Sequence, residues 1–315
     1  MRLITDSEVQ RLLQKEELVH CMEEGFRTRY LSVRVPVRTQ VATEDQSVVL
    51  FMPCYDPANA SLGMKVVKVR PHAPAGERVR AQFLLLDPAS GAPQAVIEGN
   101  ALTDLRTAAV SAVATRFLAR ENAAVLAVFG TGRQARAHVR VLPAVHSFTQ
   151  VLVCGSTVEA GEAFAHEVAR ELGIEAHAAG ARMCTSQADV ICTCTTSDVP
   201  LFEGAWLRPG THLNLVGAFR PQSREVDDST VARARVVVDT YAGALAEAGD
   251  LLIPMNKGTV GREHIVAELH ELIAGKKVGR RAPNEITLFK SVGYALEDLI
   301  AAELVLQAAL REQQA

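Results

Sequence analysis

A glycine-rich turn gives the strongest chemical signal in the sequence. The segment FGTGRQA places Gly130, Gly132 and Ala135 in the spacing G-x-G-x-x-A, after an apolar strand-like run and at the start of a helical pattern. Such glycines permit a tight turn and a close approach of backbone to a pyrophosphate, whose negative charge the helix N-terminus favours. The turn therefore predicts a dinucleotide site. The cofactor contacts that we expect here are Gly130, Thr131, Gly132, Arg133 and Gln134.

The end of the next predicted strand bears on the choice between NAD and NADP. An acidic residue there accepts hydrogen bonds from the ribose 2′-hydroxyl and repels a 2′-phosphate. The strand ends in VLVCGST, where Gly155, Ser156 and Thr157 bring no acid. We therefore predict NADP or NAD as the cofactor, with NADP preferred. Ser156, Thr157 and Arg133 are the candidate contacts to a 2′-phosphate.

Three cationic side chains in the first third of the chain could hold a small anion. Arg38 lies in VPVRTQ, Lys65 in GMKVVKV and Arg106 in TDLRTAAVSA. Each adjoins apolar or small residues, so its burial would be costly without an anionic partner. A substrate carboxylate would satisfy all three, because arginine grips it in a bidentate way and lysine can also relay a proton. The spacing alone does not separate such a site from solvated side chains or structural ion pairs.

The elements that must position these residues fall into two predicted domains. A chain of 315 residues exceeds what one hydrophobic core usually serves. Short β-rich runs fill about 35–98, whereas apolar strands alternate with helical patterns from about residue 123 onward. Because this alternation is typical of βαβ units, we predict an α/β protein with a Rossmann-type parallel-sheet domain at 116–284 and a smaller α+β domain at 1–115.

Helical patterns flank the β-rich segment. One helix is predicted from Thr5 to about Tyr30, and the alanine-rich run LRTAAVSAVATRFLARE is predicted to bridge the two domains. The segment TLFKSVGYALEDLIAAELVLQAAL is predicted to form one long helix that begins near Lys290. We expect residues 285–315 to complete the first domain or to join a subunit interface, because so apolar a helix must pack on something.

The composition makes several classes of protein improbable. The formal net charge is −3, with basic and acidic residues interspersed, so a nucleic-acid partner is not expected. No apolar run approaches the about 20 residues that cross a bilayer, and we expect a cytoplasmic protein without a membrane partner. The six cysteines are irregularly spaced, which indicates reduced thiols. Cys192 and Cys194 have no His or Cys cluster beside them, so no metal site is predicted.

Along nearly its whole length, the sequence resembles the ornithine cyclodeaminase and mu-crystallin family. The matching segments, in order, are VPVRTQ, LFMPCY, GMKVVKV, GNALTDLRTAAVSAVATRFLAR, FGTGRQA, WLRPGTHLNLVGAFRPQSREVDD and TLFKSVGYALED. The family includes ketimine reductases, pyrroline-2-carboxylate reductases and some alanine dehydrogenases. The resemblance implies a homodimer whose first domain, completed by the C-terminal helix, binds the substrate and makes the subunit contact.

The resemblance also implies roles for individual residues. Arg38, Lys65 and Arg106 match the residues that hold the substrate carboxylate near the nicotinamide. The positions that match those bordering the cofactor's ribose and nicotinamide are Thr195, Thr196, Val216, Gly217, Lys290 and Ser291.

Two departures from the family pattern concern the substrate. Ornithine cyclodeaminases carry an aspartate where this chain has Phe219 and a glutamate where it has Leu50. In that pattern, these acids manage the second amino group of ornithine. A buried ammonium without a carboxylate partner is strongly disfavoured, so ornithine should bind poorly. The apolar replacements favour a cyclic imine or an aliphatic side chain.

The sequence therefore leads to a ranked set of functions. We predict an NAD(P)H-dependent oxidoreductase that reduces a cyclic imine (ketimine) carboxylate such as pyrroline-2-carboxylate to the amino acid, with Lys65 as the catalytic residue that also helps to bind the substrate. The enzymatic alternatives are an NAD-dependent ornithine cyclodeaminase, which forms proline and ammonia, and an alanine-type amino-acid dehydrogenase. The non-enzymatic alternative is an NADP-dependent small-ligand-binding protein of the mu-crystallin type.

Overall fold

A computed structural model describes residues 1–70, 72–74 and 77–314, which divide into two compact units. The first comprises Met1–Val110 with the C-terminal segment from Tyr294, and the second comprises Ser111–Gly293. The mixture of helices with a parallel sheet confirms the predicted fold class. The roles assigned to the two predicted domains stay predictions. Within the described ranges, no helix is both long and apolar enough to span a bilayer.

The first unit is built on one six-stranded sheet. Its strands are β1 (Arg2–Ile4), β2 (Thr39–Ala42), β3 (Val48–Asp56), β4 (Ser61–Val69), β5 (Val79–Leu86) and β6 (Pro93–Glu98). They lie in the order β1-β6-β5-β4-β3-β2, and every pair except β1 with β6 is antiparallel. Side chains on β3 to β5 alternate between a buried and a more exposed face, as expected when one face of the sheet covers a core.

Three helices belong to the N-terminal part of the chain: α1 (Asp6–Leu12), α2 (Lys15–Thr28) and α3 (Gly99–Leu118). Thr5 caps α1 through a reciprocal capping box with Glu8. The prediction of one helix from Thr5 to about Tyr30 is wrong, because the chain breaks at Leu13, which is extended and buried.

The second unit contains an eight-stranded sheet. Its strands are β7 (Val125–Phe129), β8 (Gln150–Cys154), β9 (Glu175–Ala178), β10 (Val190–Thr193), β11 (His212–Leu215), β12 (Ala234–Val238), β13 (Ile265–Glu268) and β14 (Ile286–Lys290). All neighbours are parallel, in the order β13-β12-β14-β11-β10-β7-β8-β9. Every residue of β10, β11 and β14 is buried, as in parallel sheets with helices on both faces.

The helices of this unit follow the strands along the chain. They are α4 (Arg133–Val141), α5 (Val158–Leu172), α6 (Ala181–Gln187), α7 (Asp228–Arg233), α8 (Tyr241–Glu247), α9 (Gly249–Asn256) and α10 (Leu269–Ile273). The first half of the sheet, from β7 through β10, follows the strand–helix alternation that the sequence predicts.

The C-terminal segment corrects a prediction. The long helix expected to begin near Lys290 is wrong at its start, because Ile286–Lys290 forms strand β14 between β11 and β12. The last helix, α11 (Ala295–Gln314), begins after Gly293. The φ of +89° at Gly293 turns the chain between β14 and α11. Hydrophobic periodicity cannot distinguish a short buried strand from a buried helix. The prediction therefore merged strand β14 and helix α11 into one helix.

Candidate active site

The glycine-rich turn connects β7 to α4. Gly130 adopts φ +105°, a conformation that side chains disfavour, and a Cβ added there would lie 2.7 Å from the carbonyl oxygen of Cys194. Its amide donates a hydrogen bond to the carbonyl oxygen of Cys154. Ala135, one turn into the helix, is fully buried. Gly130 is therefore required by the turn itself, whatever the turn binds.

Gly132 is glycine for a different reason. Its φ of −79° suits any residue, and among the described residues no atom beyond its chain neighbours lies within 4 Å of an added Cβ. It is the N-cap of α4, and no side chain caps that helix end. Open space beside an uncapped helix N-terminus fits pyrophosphate oxygens, which accept hydrogen bonds from backbone N–H groups. The remaining predicted contacts in this turn, all partly exposed, are Thr131, Arg133 and Gln134.

The end of β8 presents hydroxyl groups instead of a carboxylate. Ser156 and Thr157 are both exposed, and the Thr157 hydroxyl already accepts a hydrogen bond from the amide of Ala160 as the N-cap of α5. Gly155 is closely packed, because a Cβ there would lie 2.6 Å from the amide nitrogen of Gly161. No acid occupies positions 155–157, so this strand end contains no group that would repel a 2′-phosphate.

A buried glutamate joins the two segments predicted to border the nicotinamide. One oxygen of Glu225 accepts hydrogen bonds from the amide and the hydroxyl of Thr195, both at 2.8 Å. The other accepts from the Gly217 amide at 2.7 Å. A Cβ on Gly217 would lie 2.2 Å from the Thr195 carbonyl oxygen. Thr195 and Gly217 are thus held side by side, with Val216 partly exposed and Thr196 exposed beside them.

Lys290 and Ser291 point into the interior of the second unit. The Lys290 ammonium is fully buried, donates to the Ala218 carbonyl oxygen at 2.5 Å and lies 2.9 Å from a carboxylate oxygen of Asp250. The Ser291 hydroxyl donates to Asp239 at 3.2 Å. Both side chains therefore have partners within their own unit, and a contact between them and a cofactor stays a prediction.

Two of the three predicted substrate cations meet on one carboxylate oxygen. In the first unit, Lys65 from β4 donates to Asp298 Oδ1 at 2.8 Å, and Arg106 Nε from α3 donates to the same oxygen at 2.9 Å. Arg106 also pairs with Glu297 through a terminal guanidinium nitrogen. All four side chains are buried. The structure thus brings Lys65 and Arg106 together in ion pairs with protein carboxylates, and their contact with a substrate carboxylate stays a prediction.

The position of Arg38 follows from the strand register. Arg38 directly precedes β2, and Thr39 at the start of β2 pairs with Phe51 of β3. One further step in that register would place Arg38 opposite Met52, whose partner on β4 is Lys65. Two strand spacings amount to about 10 Å, a distance over which arginine and lysine side chains can converge on one ligand. The participation of partly exposed Arg38 in the cluster stays a prediction.

The surroundings of Lys65 change its acidity. Burial lowers its pKa to about 8, and the nearby positive charge of Arg106 adds to this effect. Asp298 and, more weakly, Glu297 act in the opposite direction. A lysine with a pKa of about 8 is mostly protonated at pH 7, yet it releases its proton far more readily than a lysine in water.

The two departures from the ornithine pattern lie in apolar surroundings. Leu50 is buried on β3, on the same face as Met52, and its cross-strand partner is Val67. Phe219 is partly buried and packs against the apolar core of the second unit. Neither position offers a carboxylate to a second amino group.

Three acids that bind the predicted site residues were not predicted from the sequence. Glu225, Glu297 and Asp298 are fully buried. The last two stand side by side in an apolar stretch of α11, ALEDLIAA, and an acid pair in such a stretch, in a chain with two unexplained cations, is a signal that could have been used. Glu225 offered no comparable signal, because it lies in a polar segment, SREVDD.

Within 1–70, 72–74 and 77–314, no three His, Cys, Asp or Glu side chains group so that they could hold a metal ion. The six cysteines are all free thiols, and Cys192 is completely buried.

Comparison with known proteins supports the resemblance. The Ornithine cyclodeaminase/mu-crystallin family pattern matches residues 1–313. A Delta(1)-pyrroline-2-carboxylate reductase of Bacillus cereus is 36% identical, over 98% of this chain and 97% of that protein. The structure of the Thermococcus litoralis Delta(1)-pyrroline-2-carboxylate reductase in complex with NADH and L-proline superimposes with a TM-score of 0.95 at 38% identity, covering 99% of this chain and 98% of the other.

A second solved structure is also similar throughout. An archaeal alanine dehydrogenase dimer with bound NAD gives a TM-score of 0.92 at 31% identity, covering 99% of this chain and 97% of that one. The match of the family pattern across nearly all residues confirms the resemblance inferred from the sequence. The chain belongs to the ornithine cyclodeaminase/mu-crystallin family.

Proposed function

We propose that this protein is an NAD(P)-dependent oxidoreductase that reduces the C=N bond of a cyclic ketimine carboxylate, such as Δ1-pyrroline-2-carboxylate, to the corresponding amino acid. The main supporting observation is the buried pair of Lys65 and Arg106, which share one oxygen of Asp298. Two adjacent cations, one with an easily released proton, suit a substrate with a carboxylate next to a basic nitrogen. The 36% identical B. cereus reductase adds support.

In this mechanism, each side chain has a distinct task. The bound dinucleotide, when reduced, supplies the hydride. Arg106 and Arg38 hold the substrate carboxylate, which fixes the imine carbon in a reactive orientation. Lys65 shares that contact and gives a proton to the imine nitrogen, directly or through water. The Gly130 turn and the open space at Gly132 would hold the pyrophosphate of that dinucleotide.

The apolar residues Leu50 and Phe219 favour this substrate over ornithine. A second amino group would have to enter the site as an ammonium ion. Since neither position provides a carboxylate, the ammonium would lose its hydration without gaining an ion pair, which costs several kcal/mol in a buried site. A carbon ring requires no such partner.

The experiment is a spectrophotometric assay of the purified protein with NADH and NADPH. We expect cofactor oxidation with Δ1-pyrroline-2-carboxylate, and no formation of proline from ornithine with NAD. Proline release from ornithine without imine reduction would favour a cyclodeaminase, and turnover only with 2-oxo acids plus ammonia would favour an amino-acid dehydrogenase. Tight cofactor and ligand binding without any turnover would indicate a binding protein.

We propose NADP as the preferred cofactor, because Ser156 and Thr157 are exposed and no acid accompanies them. The substitution Ser156→Asp should lower kcat/KM for NADPH by about 10- to 100-fold and spare NADH, since a carboxylate would face the 2′-phosphate. Ser156→Ala is the matched control and should cost NADPH at most about 10-fold, the loss of one hydrogen bond. The NADP proposal would be refuted if the wild type prefers NADH and Ser156→Asp does not change that preference.

We also propose a homodimer formed through the exposed face of the six-stranded sheet. The face opposite Lys65 presents apolar side chains that stay only partly buried in the single chain: Phe51, Pro53, Tyr55, Leu62, Met64, Val66, Leu84, Leu86 and Val96. Continuous apolar surface of this kind marks an interface, and a second copy of the same sheet provides a matching surface. The similar alanine dehydrogenase is a dimer.

Charge on this sheet face should separate the subunits. Val66 lies near its centre, between Phe51 and Gln82 on the neighbouring strands, so Val66→Asp should yield a monomer in gel filtration with light scattering. Val278→Asp makes the same exchange at a 61% exposed site of the other unit and should leave the wild-type dimer intact. A Val66→Asp protein that stays dimeric would exclude this face.

The compartment is a further proposal. The cysteines are all free thiols, which fits a reducing compartment, and we propose the cytoplasm.

A further inference from the structure

Two adjacent acids, Glu297 and Asp298, hold the two substrate cations in different ways. Asp298 Oδ1 accepts hydrogen bonds from both Lys65 Nζ and Arg106 Nε, at 2.8 and 2.9 Å. Glu297 pairs with Arg106 through a terminal guanidinium nitrogen, and its second oxygen accepts from the Tyr294 amide at 3.2 Å. Lys65 therefore has one direct carboxylate partner, Asp298, whereas Arg106 has two.

The second oxygen of Asp298 supports a role beyond stability. Asp298 is fully buried, and its Oδ2 accepts no hydrogen bond in the described structure. A buried carboxylate oxygen without a donor costs about 1–3 kcal/mol or more, so the two cations on Oδ1 do not satisfy the whole carboxylate. The carboxylate instead directs its hydrogen bonds to the two cations through Oδ1. Such an arrangement is expected where a charge is kept to control its neighbours.

The charged groups that shift the pKa of Lys65 come from α3 and α11, and the register of β2 would place the charge of Arg38 two strands away. Arg106 faces it from α3 and favours loss of the Lys65 proton, as burial does. Asp298 and Glu297 face it from α11 and favour retention of the proton, with Asp298 the stronger of the two. Removal of the negative charge at Asp298 would lower the pKa of Lys65 below its present value of about 8.

We propose that Asp298 is a positioning residue that keeps Lys65 protonated beside the substrate nitrogen, while Glu297 orients Arg106 for the substrate carboxylate. This proposal rests on the proposed imine reduction. In that reaction the imine carbon receives the hydride, an N–H bond of Lys65 breaks, and a new N–H bond forms at the imine nitrogen. The neutral Lys65 amine then takes a proton from water, and Asp298 stays a carboxylate throughout.

The test compares Asp298→Asn with Glu297→Gln, two exchanges that keep shape and remove charge. For each enzyme, kcat/KM for Δ1-pyrroline-2-carboxylate is measured across pH. In the wild type, activity should fall as the pH rises through about 8, because Lys65 loses its proton. In Asp298→Asn this fall should occur at least about one pH unit lower, with lost activity recovered on acidification. Glu297→Gln should raise KM about 10-fold and move the pH profile much less.

Further measurements separate this role from a merely structural one. Thermal unfolding and NADH binding establish that each variant is folded, and Asp298→Glu should restore part of the wild-type pH profile because it restores the charge. If the wild type is active and its pH profile coincides with that of folded Asp298→Asn, the proposed role of Asp298 is overturned. The proposed function would still stand. If Asp298→Asn does not fold, a wild type that keeps full activity up to pH 10 would overturn the proposed role of Asp298. A wild type that does not reduce the imine would overturn both proposals.

Discussion

Replacement of Lys65 by methionine should lower kcat/KM for the imine by about 10³-fold, while NADH binding persists. Methionine keeps most of the volume of the buried side chain but removes its charge and its proton. The substrate carboxylate then loses one of its cationic contacts, and the imine nitrogen loses its proton donor. The measurements are steady-state kinetics and a fluorescence titration with NADH.

The substitution Lys65→Met also leaves the buried charge of Asp298 without one of its partners, so a matched control is needed. Without Lys65, Asp298 retains only its hydrogen bond from Arg106, and an undercompensated buried carboxylate destabilises a fold by about 3–5 kcal/mol. The double variant Lys65→Met/Asp298→Asn removes that carboxylate and should recover much of the lost stability, yet stay inactive. Turnover retained in the folded double variant would remove Lys65 from the mechanism.

The second large effect is expected at the glycine-rich turn. Gly132→Ala should weaken NADH binding by about 10- to 100-fold, the cost of forcing one extra methyl group into a close contact. Its melting temperature should match that of the wild type, since the added Cβ meets no protein atom within 4 Å. The loss of NADH affinity would therefore come from a clash between the added methyl group and the cofactor, and not from a destabilised fold.

Gly130→Ala provides the contrasting case. At φ +105°, with an added Cβ 2.7 Å from the Cys194 carbonyl oxygen, alanine strains the protein itself, so the melting temperature should fall before any ligand is added. Titration with NADH and thermal unfolding of both variants distinguish the two causes. Unchanged NADH affinity in Gly132→Ala would contradict the placement of the pyrophosphate at this turn.

Local signals in the sequence were enough to predict the parallel-sheet half of the fold. The spacing of Gly130, Gly132 and Ala135 reflects backbone geometry within a few residues, and the alternation of strands and helices repeats over short windows. Each of these features depends on neighbours along the chain. The prediction of a parallel sheet followed from them and is confirmed by the structure.

Features that depend on distant residues were not predicted. Asp298 and Lys65 form an ion pair although 233 positions separate them in the sequence. A single sequence considered on its own contains no information about such a distant pairing. Strand β14 was hidden because its five buried residues show no periodicity of their own and run directly toward an apolar helix. The family resemblance pointed to Lys65 and Arg106, but only the structure assigned them a shared partner.

A crystal structure of the protein with NADH and L-proline tests the proposed substrate site most directly. We expect the proline carboxylate to lie within about 3 Å of the side-chain nitrogens of Arg38, Lys65 and Arg106, with its α-carbon facing the nicotinamide. We also expect the cofactor pyrophosphate to lie over Gly132. A carboxylate bound by other residues, with Arg38 turned away and Lys65 still held only by Asp298, would contradict the proposed site.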